Sequence, residues 1–103
     1  MRMHNPPHPG PVLAELWLKP LGMRITAFAS HIGVSRKTIS EIVNGRAAIT
    51  ADMALRLSAA LGTSPEVWLR MQMAYDLWQA EQRSQPAIER LVAPAESAAA
   101  CAD

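Results

Sequence analysis

Arg36 and Lys37 stand side by side directly after Ser35, and Thr38, Ser40, Glu41, Asn44 and Arg46 follow closely. Arginine and lysine can donate to the O6 and N7 of a guanine, and a serine hydroxyl can serve either base. If Ser35 caps a helix, Arg36 and Lys37 fall in its first turn. Unsatisfied N–H groups there carry partial positive charge that also favours a phosphate. Arg46 lies past that helix in a glycine turn and suits a contact to a nucleic-acid backbone. At about 100° per residue, an inward stripe of Ile39, Ile42 and Val43 leaves Lys37, Glu41 and Asn44 facing outward, with Ser40 on the flank. This is equipment for gripping and reading a polyanion.

Nothing suited to breaking bonds accompanies it. His4 and His8 have the spacing of a helical metal pair, but Pro6 and Pro7 lie between them and no third ligand is near, so no metal is expected. Cys101, the single cysteine, has no partnering histidine or aspartate pattern, and no glycine-rich phosphate loop or H-E-x-x-H run occurs. No catalytic residue and no cofactor are expected. A lone cysteine also makes no internal disulfide, no apolar run approaches the ~20 residues of a membrane span, and Met1 to Gly10 lacks the apolar core of a signal peptide. The expected location is cytoplasmic.

The elements that must position these residues read as short helices, with no convincing strand pattern. A first helix opens at Gly10-Pro11 and runs to about Leu18 with Leu13, Leu16 and Trp17 as its apolar stripe; Pro20 and Gly22 close it. A second begins near Thr26 as N-cap, turns Phe28, Ala29 and Ile32 inward and stops at Gly33. A third starts at the Ser35 cap and ends at Asn44-Gly45. Thr50 caps a fourth, with Ala54, Leu57 and Leu61 at helical spacing, and Ser64-Pro65-Glu66 opens a longer fifth that reaches about Gln82. The predicted organisation is all-α, with an arm over residues 1–9, a five-helix domain over 10–83 and a flexible tail over 84–103 in which a short helix around Ile88 to Val92 has room to form. The second and third helices are joined by only Gly33-Val34-Ser35 and must cross steeply. Ala29 is small enough for that crossing, and Gly33 tolerates the positive φ of the turn.

Charge divides along the chain. The total is +1, but Arg24 to Arg56 carries a net +3 and Leu57 to Asp103 a net −3, a basic middle beside an acidic end. The fifth helix is unusually apolar: Trp68, Met71, Tyr75 and Trp78 recur at helical spacing, while Met73 and Leu77 lie on another flank. One subunit of this size cannot easily bury both stripes, so Trp68, Met71, Tyr75 and Trp78 are assigned to a homodimer face.

Residues 25–46 resemble the phage-repressor (Cro-like, XRE) helix-turn-helix family. From His8 to about Gln82 the chain resembles a narrower group, the HigA-type antitoxins of bacterial toxin–antitoxin operons. That resemblance is carried by His8-Pro9-Gly10, Leu18-Lys19-Pro20-Leu21-Gly22, Val34 to Ser40, Asn44-Gly45-Arg46, Ile49-Thr50, Met53 to Leu57, Ala60 to Pro65, Trp68-Leu69 and Tyr75 to Trp78. It implies a five-helix repressor-like fold, homodimerisation, repression of the protein's own operon through double-stranded operator DNA, and neutralisation of a HigB-like mRNA-cleaving toxin. Some members of the broader family hold a phosphate with a glutamine at the start of the second helix. Ile25 occupies that point here, and the contact is assigned to Thr26. The expected DNA-binding set is therefore Thr26, Ser35, Arg36, Lys37, Thr38, Ser40, Glu41, Asn44 and Arg46. The alternative is a stand-alone prophage-type repressor without a toxin. A pure protein-interaction module would have a neutral outer face on the third helix, and Arg36 and Lys37 speak against it.

Overall fold

The computed structural model describes residues 5–93. His4, Cys101 and the rest of residues 1–4 and 94–103 lie outside the described part.

α1 runs without a break through Pro9–Leu13, a π-helical turn at Ala14–Leu18 and a last turn at Lys19–Leu21. It starts one residue earlier than expected because His8 caps it, with extended backbone and its side chain accepting from Gly10 N. The π turn corrects the expected stripe. Leu13 and Leu18 would stand about 140° apart on a regular α-helix. The wide turn, in which Lys19 N–H reaches the Ala14 carbonyl, brings both into the core. Leu13 is 0% and Leu18 5% exposed, whereas Leu16 is 63% exposed and Trp17 half-buried.

α2, Ile25–Ile32, buries Phe28, Ala29 and Ile32 and ends at Gly33 with φ +76°. Its N-cap is Arg24, with no side-chain cap bond, so Thr26 lies inside the first turn and not at the cap. α3, Arg36–Val43, is capped by Ser35 and buries Ile39 and Ile42. α4, Ala51–Leu61, is capped by Thr50 and stops at Gly62; α5, Pro65–Glu81, opens on the Ser64 cap with proline in its first turn. These caps and stops are those expected. Each side-chain oxygen satisfies a backbone N–H that the helix itself leaves open.

The helices converge on one core in which Trp68, Phe28, Leu13, Ile39, Ile42 and Leu57 are the largest enclosed side chains. α1 crosses α3 closely: a Cβ on Gly10 would stand 1.6 Å from the Ile42 carbonyl oxygen. α5 reaches across to the loop after α3, where Gln72 Oε1 accepts from Ile49 N at 2.8 Å. Arg56 of α4 donates through Nη1 to the Ile32 carbonyl at 2.6 Å and through Nε to Asp52 at 3.0 Å, tying α4 to the end of α2.

Pro6, His8 and Pro9 are buried, so the folded body begins before the expected boundary at residue 10. Beyond Gln82 no helix forms among the described residues, and Ile88, Leu91 and Val92 are 83%, 93% and 76% exposed. No helix among them is long and apolar enough to cross a membrane.

Candidate nucleic-acid interface

The turn between α2 and α3 is closed by backbone. Gly33 N donates to Ser30 O, and Val34 N donates to Ala29 O at 3.0 Å. Ala29, 2% exposed, is buried one turn before Gly33 on the inward face of α2. The chain then extends at Ser35 (φ −75°, ψ 154°) and enters α3. Ser35 Oγ accepts from Thr38 N at 3.1 Å and lies 2.8 Å from Thr38 Oγ1. Ser35 and Thr38 thus hold the helix start together.

Arg36 and Lys37 follow, both exposed, and neither takes part in an ion pair among the described residues. They stand at the end of α3 where the open N–H groups add positive potential. Ser40 and Glu41 are half-buried, and their carbonyls organise the far end of the helix. Ser40 O accepts from both the backbone N and Nδ2 of Asn44, the latter at 2.8 Å. Glu41 O accepts from Arg46 N at 2.8 Å and Ala47 N at 3.2 Å. Asn44, expected to face outward, is exposed but turns its amide nitrogen back to cap α3. Arg46 is exposed just beyond.

Thr26 is exposed in the first turn of α2 and joins Arg24 and Arg36 around a depression of about 380 Å³, with Leu18, Met23, Ile25 and Val43 also lining it. The starts of α2 and α3 therefore open onto the same hollow, each with an arginine beside it. Arg24, on this hollow, stood outside the set expected from the sequence. Its signal was its place immediately before the first apolar residue of α2. Arg56, counted in the basic middle, is engaged by Ile32 and Asp52 instead. His31 is exposed on α2.

The second expected surface needs correction. Trp68 is 1% exposed, packed in its own subunit's core, with Nε1 donating to Thr63 Oγ1 at 2.8 Å. It is not available to a seam. Met71, Tyr75 and Trp78 are half-buried. The large apolar side chains that α5 leaves open are Val67, Leu69, Met73 and Leu77, at 36%, 36%, 56% and 39% exposure, the last three spaced four residues apart. Among the described residues no group of three or more histidine, cysteine or acidic side chains gathers as a metal site would require.

A helix-turn-helix family model, HTH_3, matches residues 15–68. Virulence-associated protein I of Dichelobacter nodosus is 49% identical over 78 residues, spanning 76% of this chain and 72% of that protein. Antitoxin HigA-1 of Vibrio cholerae is 43% identical over 76 residues, or 74% of this chain and 71% of the relative. Among solved structures, antitoxin GraA in complex with its operator superposes with a TM-score of 0.77 at 40% identity, covering 90% of this chain and 99% of that one.

Proposed function

The chain belongs to the helix-turn-helix family HTH_3, within its HigA-type antitoxin group, and we propose that it is an antitoxin that represses its own operon by binding operator DNA as a homodimer. The observation that carries this reading is the pair Arg36 and Lys37, exposed and outside any ion pair of the described residues at the start of α3, beside a hollow shared with Arg24 and Thr26. A recognition helix places its first turn against base edges in the major groove while neighbouring groups hold phosphate. Arg24, Thr26 and Arg46 flank the reading pair and suit that holding role. The GraA superposition, made on a chain described with its operator, supports the same docking for α3.

Two copies of α3 related by a two-fold axis would read an imperfect palindrome with half-sites about one helical turn, or a small multiple, apart. Pairing through α5 supplies that axis, with Leu69, Met73 and Leu77 at its centre and Met71, Tyr75 and Trp78 beside them. The protein partner in this reading is a HigB-like, mRNA-cleaving toxin, which the acidic C-terminal half would meet by charge complementarity.

Fluorescence anisotropy with the DNA upstream of the protein's own operon tests the repressor role, with scrambled DNA as control. Co-expression with the neighbouring reading frame tests the antitoxin role: rescue of growth and co-purification are expected. Operator binding without either would leave a stand-alone repressor.

A further inference from the structure

His8 and Gln72 are the two polar side chains buried among the described residues, at 8% and 6% exposure, and both hold the short segment that follows α3. Gln72 Oε1 accepts from Ile49 N at 2.8 Å, while its Nε2 donates to Asp76 Oδ1 at 2.9 Å. His8 Nδ1 accepts from Gly10 N at 2.8 Å, and the backbone of Ala47 lies near enough to the imidazole to favour its charged form. Tyr75 meets the His8 ring edge-on, with centroids 4.9 Å apart and planes at 76°. A Cβ on Gly45 would lie 3.8 Å from His8 Cγ. The segment is tied to α3 at its other end, through Asn44 to Ser40 and through Arg46 and Ala47 to Glu41. A single imidazole therefore touches α1, α5 and the exit of the candidate reading helix.

We propose that His8 is a positioning residue for DNA reading: its neutral imidazole clasps the exit of α3 to α1 and α5, and taking up a proton opens that clasp. The inference rests on the DNA-reading role of α3 given above. In the neutral ring Nδ1 is the acceptor for Gly10 N–H and the other nitrogen is free to donate to a carbonyl. Protonation places a second hydrogen between Nδ1 and Gly10 N, donor against donor, and puts a charge in a buried site. Among the described residues the facing groups are few. α5 contributes Tyr75 and Asp76, α1 contributes backbone alone, and the turn after α3 contributes Gly45 and the Ala47 backbone, its Arg46 being exposed. Burial pushes the imidazole below its usual 6.5, outweighing Asp76 and the Ala47 backbone, which favour the charged ring. The clasp is thus closed at neutral pH and opens in mild acid. An opened exit lets α3 tilt against α5, and two α3 helices then no longer match two half-sites.

The test uses the full chain with His4 and His31 changed to Gln, leaving His8 as the sole histidine. Operator affinity is followed by anisotropy from pH 8 to 5.5 at constant ionic strength, with helicity recorded alongside. Affinity should fall about three- to tenfold as the competent fraction shrinks, while helicity holds. His8→Asn keeps an acceptor for Gly10 N but does not titrate, and its affinity should vary by less than about twofold over the same range. A parallel fall in His8→Asn, or a flat profile with His8 present, overturns the proposal, as does loss of binding that tracks loss of helicity. A second readout needs no DNA. The backbone amides of Gly10 and of residues 44–49 should shift with the His8 titration and stay still in His8→Asn. If they ignore the titration the clasp is wrong, whereas amides that respond in a chain that binds no operator would sink the DNA reading and leave the clasp standing.

Discussion

Gly10 of α1 lies against the backbone of Ile42 in α3 so closely that a Cβ there would stand 1.6 Å from the Ile42 carbonyl oxygen. The obstacle is backbone in a helix whose Ile39 and Ile42 are core, so it cannot swing aside as a flexible side chain would. Gly10→Ala must push α1 away from α3, and the added methyl also crowds His8 Nδ1 at 3.1 Å. The expected cost is at or above the upper end of ordinary overpacking, about 3 kcal/mol. Urea unfolding should register it, together with a melting temperature lower by about 4–8 °C for each kcal/mol lost. A change below about 0.5 kcal/mol, the range of a surface substitution, would show that α1 and α3 are not so tightly apposed.

How much of this was legible depended on whether the signal was local. Ser35, Thr50 and Ser64 cap their helices as expected because a cap is a contract between residues two or three apart. Gly33 and Gly62 likewise end helices in the left-handed region. The π turn in α1 was hidden because the burial of Leu18 in place of Leu16 is decided by what α1 packs against. Gln72 meets Ile49 across 23 residues of sequence, and no periodicity announces such a pair. Trp68 was given to the wrong side because α5 carries apolar residues all round, which leaves the inward face to tertiary packing. At the candidate interface, the exposed places of Arg36, Lys37 and Arg46 at the start and exit of α3 were legible from the cap and the glycine turn. The inward turn of Asn44 and the convergence of Arg24 with Arg36 needed the fold.

Trp68 and Met73 sit on the same helix, and substitutions at the two should fail in different ways. Trp68→Ala empties the largest buried side chain of the core and should cost about 3–5 kcal/mol of stability. Met73→Asp puts a charge on an exposed position and should leave helicity nearly unchanged. If α5 is the seam of a dimer, Met73→Asp should move the sedimenting mass toward monomer at tens of micromolar, where the parent chain is dimeric. A dimer that survives the aspartate would place the seam elsewhere on the molecule.

Stability itself should depend on pH through His8. Burial holds the folded-state pKa of this imidazole below its ordinary 6.5, so between the two values the unfolded chain binds more protons than the folded one. Stability then rises with pH across that window: the His8 contribution is fully present above about 6.5 and is lost as pH falls toward the folded-state value. Urea midpoints taken from pH 7.5 down to 5.5 should decline for the parent chain and decline less for His8→Asn. Equal slopes in the two chains would assign the acid sensitivity to other groups.

The four arginine and lysine side chains around the start and exit of α3 should separate into two roles when changed one at a time to alanine. Arg36 and Lys37 occupy the entering turn, and their loss should cost about 1–3 kcal/mol on the operator and relax the preference at particular base pairs. Arg24 stands at the start of α2 on the hollow it shares with Arg36, and Arg46 stands past the end of α3. Those two should hold phosphate, so their loss should weaken operator and scrambled DNA alike and make the salt dependence shallower by about one unit of slope. Arg56→Ala is the control. Its guanidinium is bonded to Ile32 and Asp52, so this change should lower thermal stability and leave the salt slope as it was. Anisotropy on both DNAs across a salt series decides the assignment. Equal losses on operator and scrambled DNA for Arg36→Ala and Lys37→Ala would mean that α3 grips the backbone only, and sequence is read by other residues.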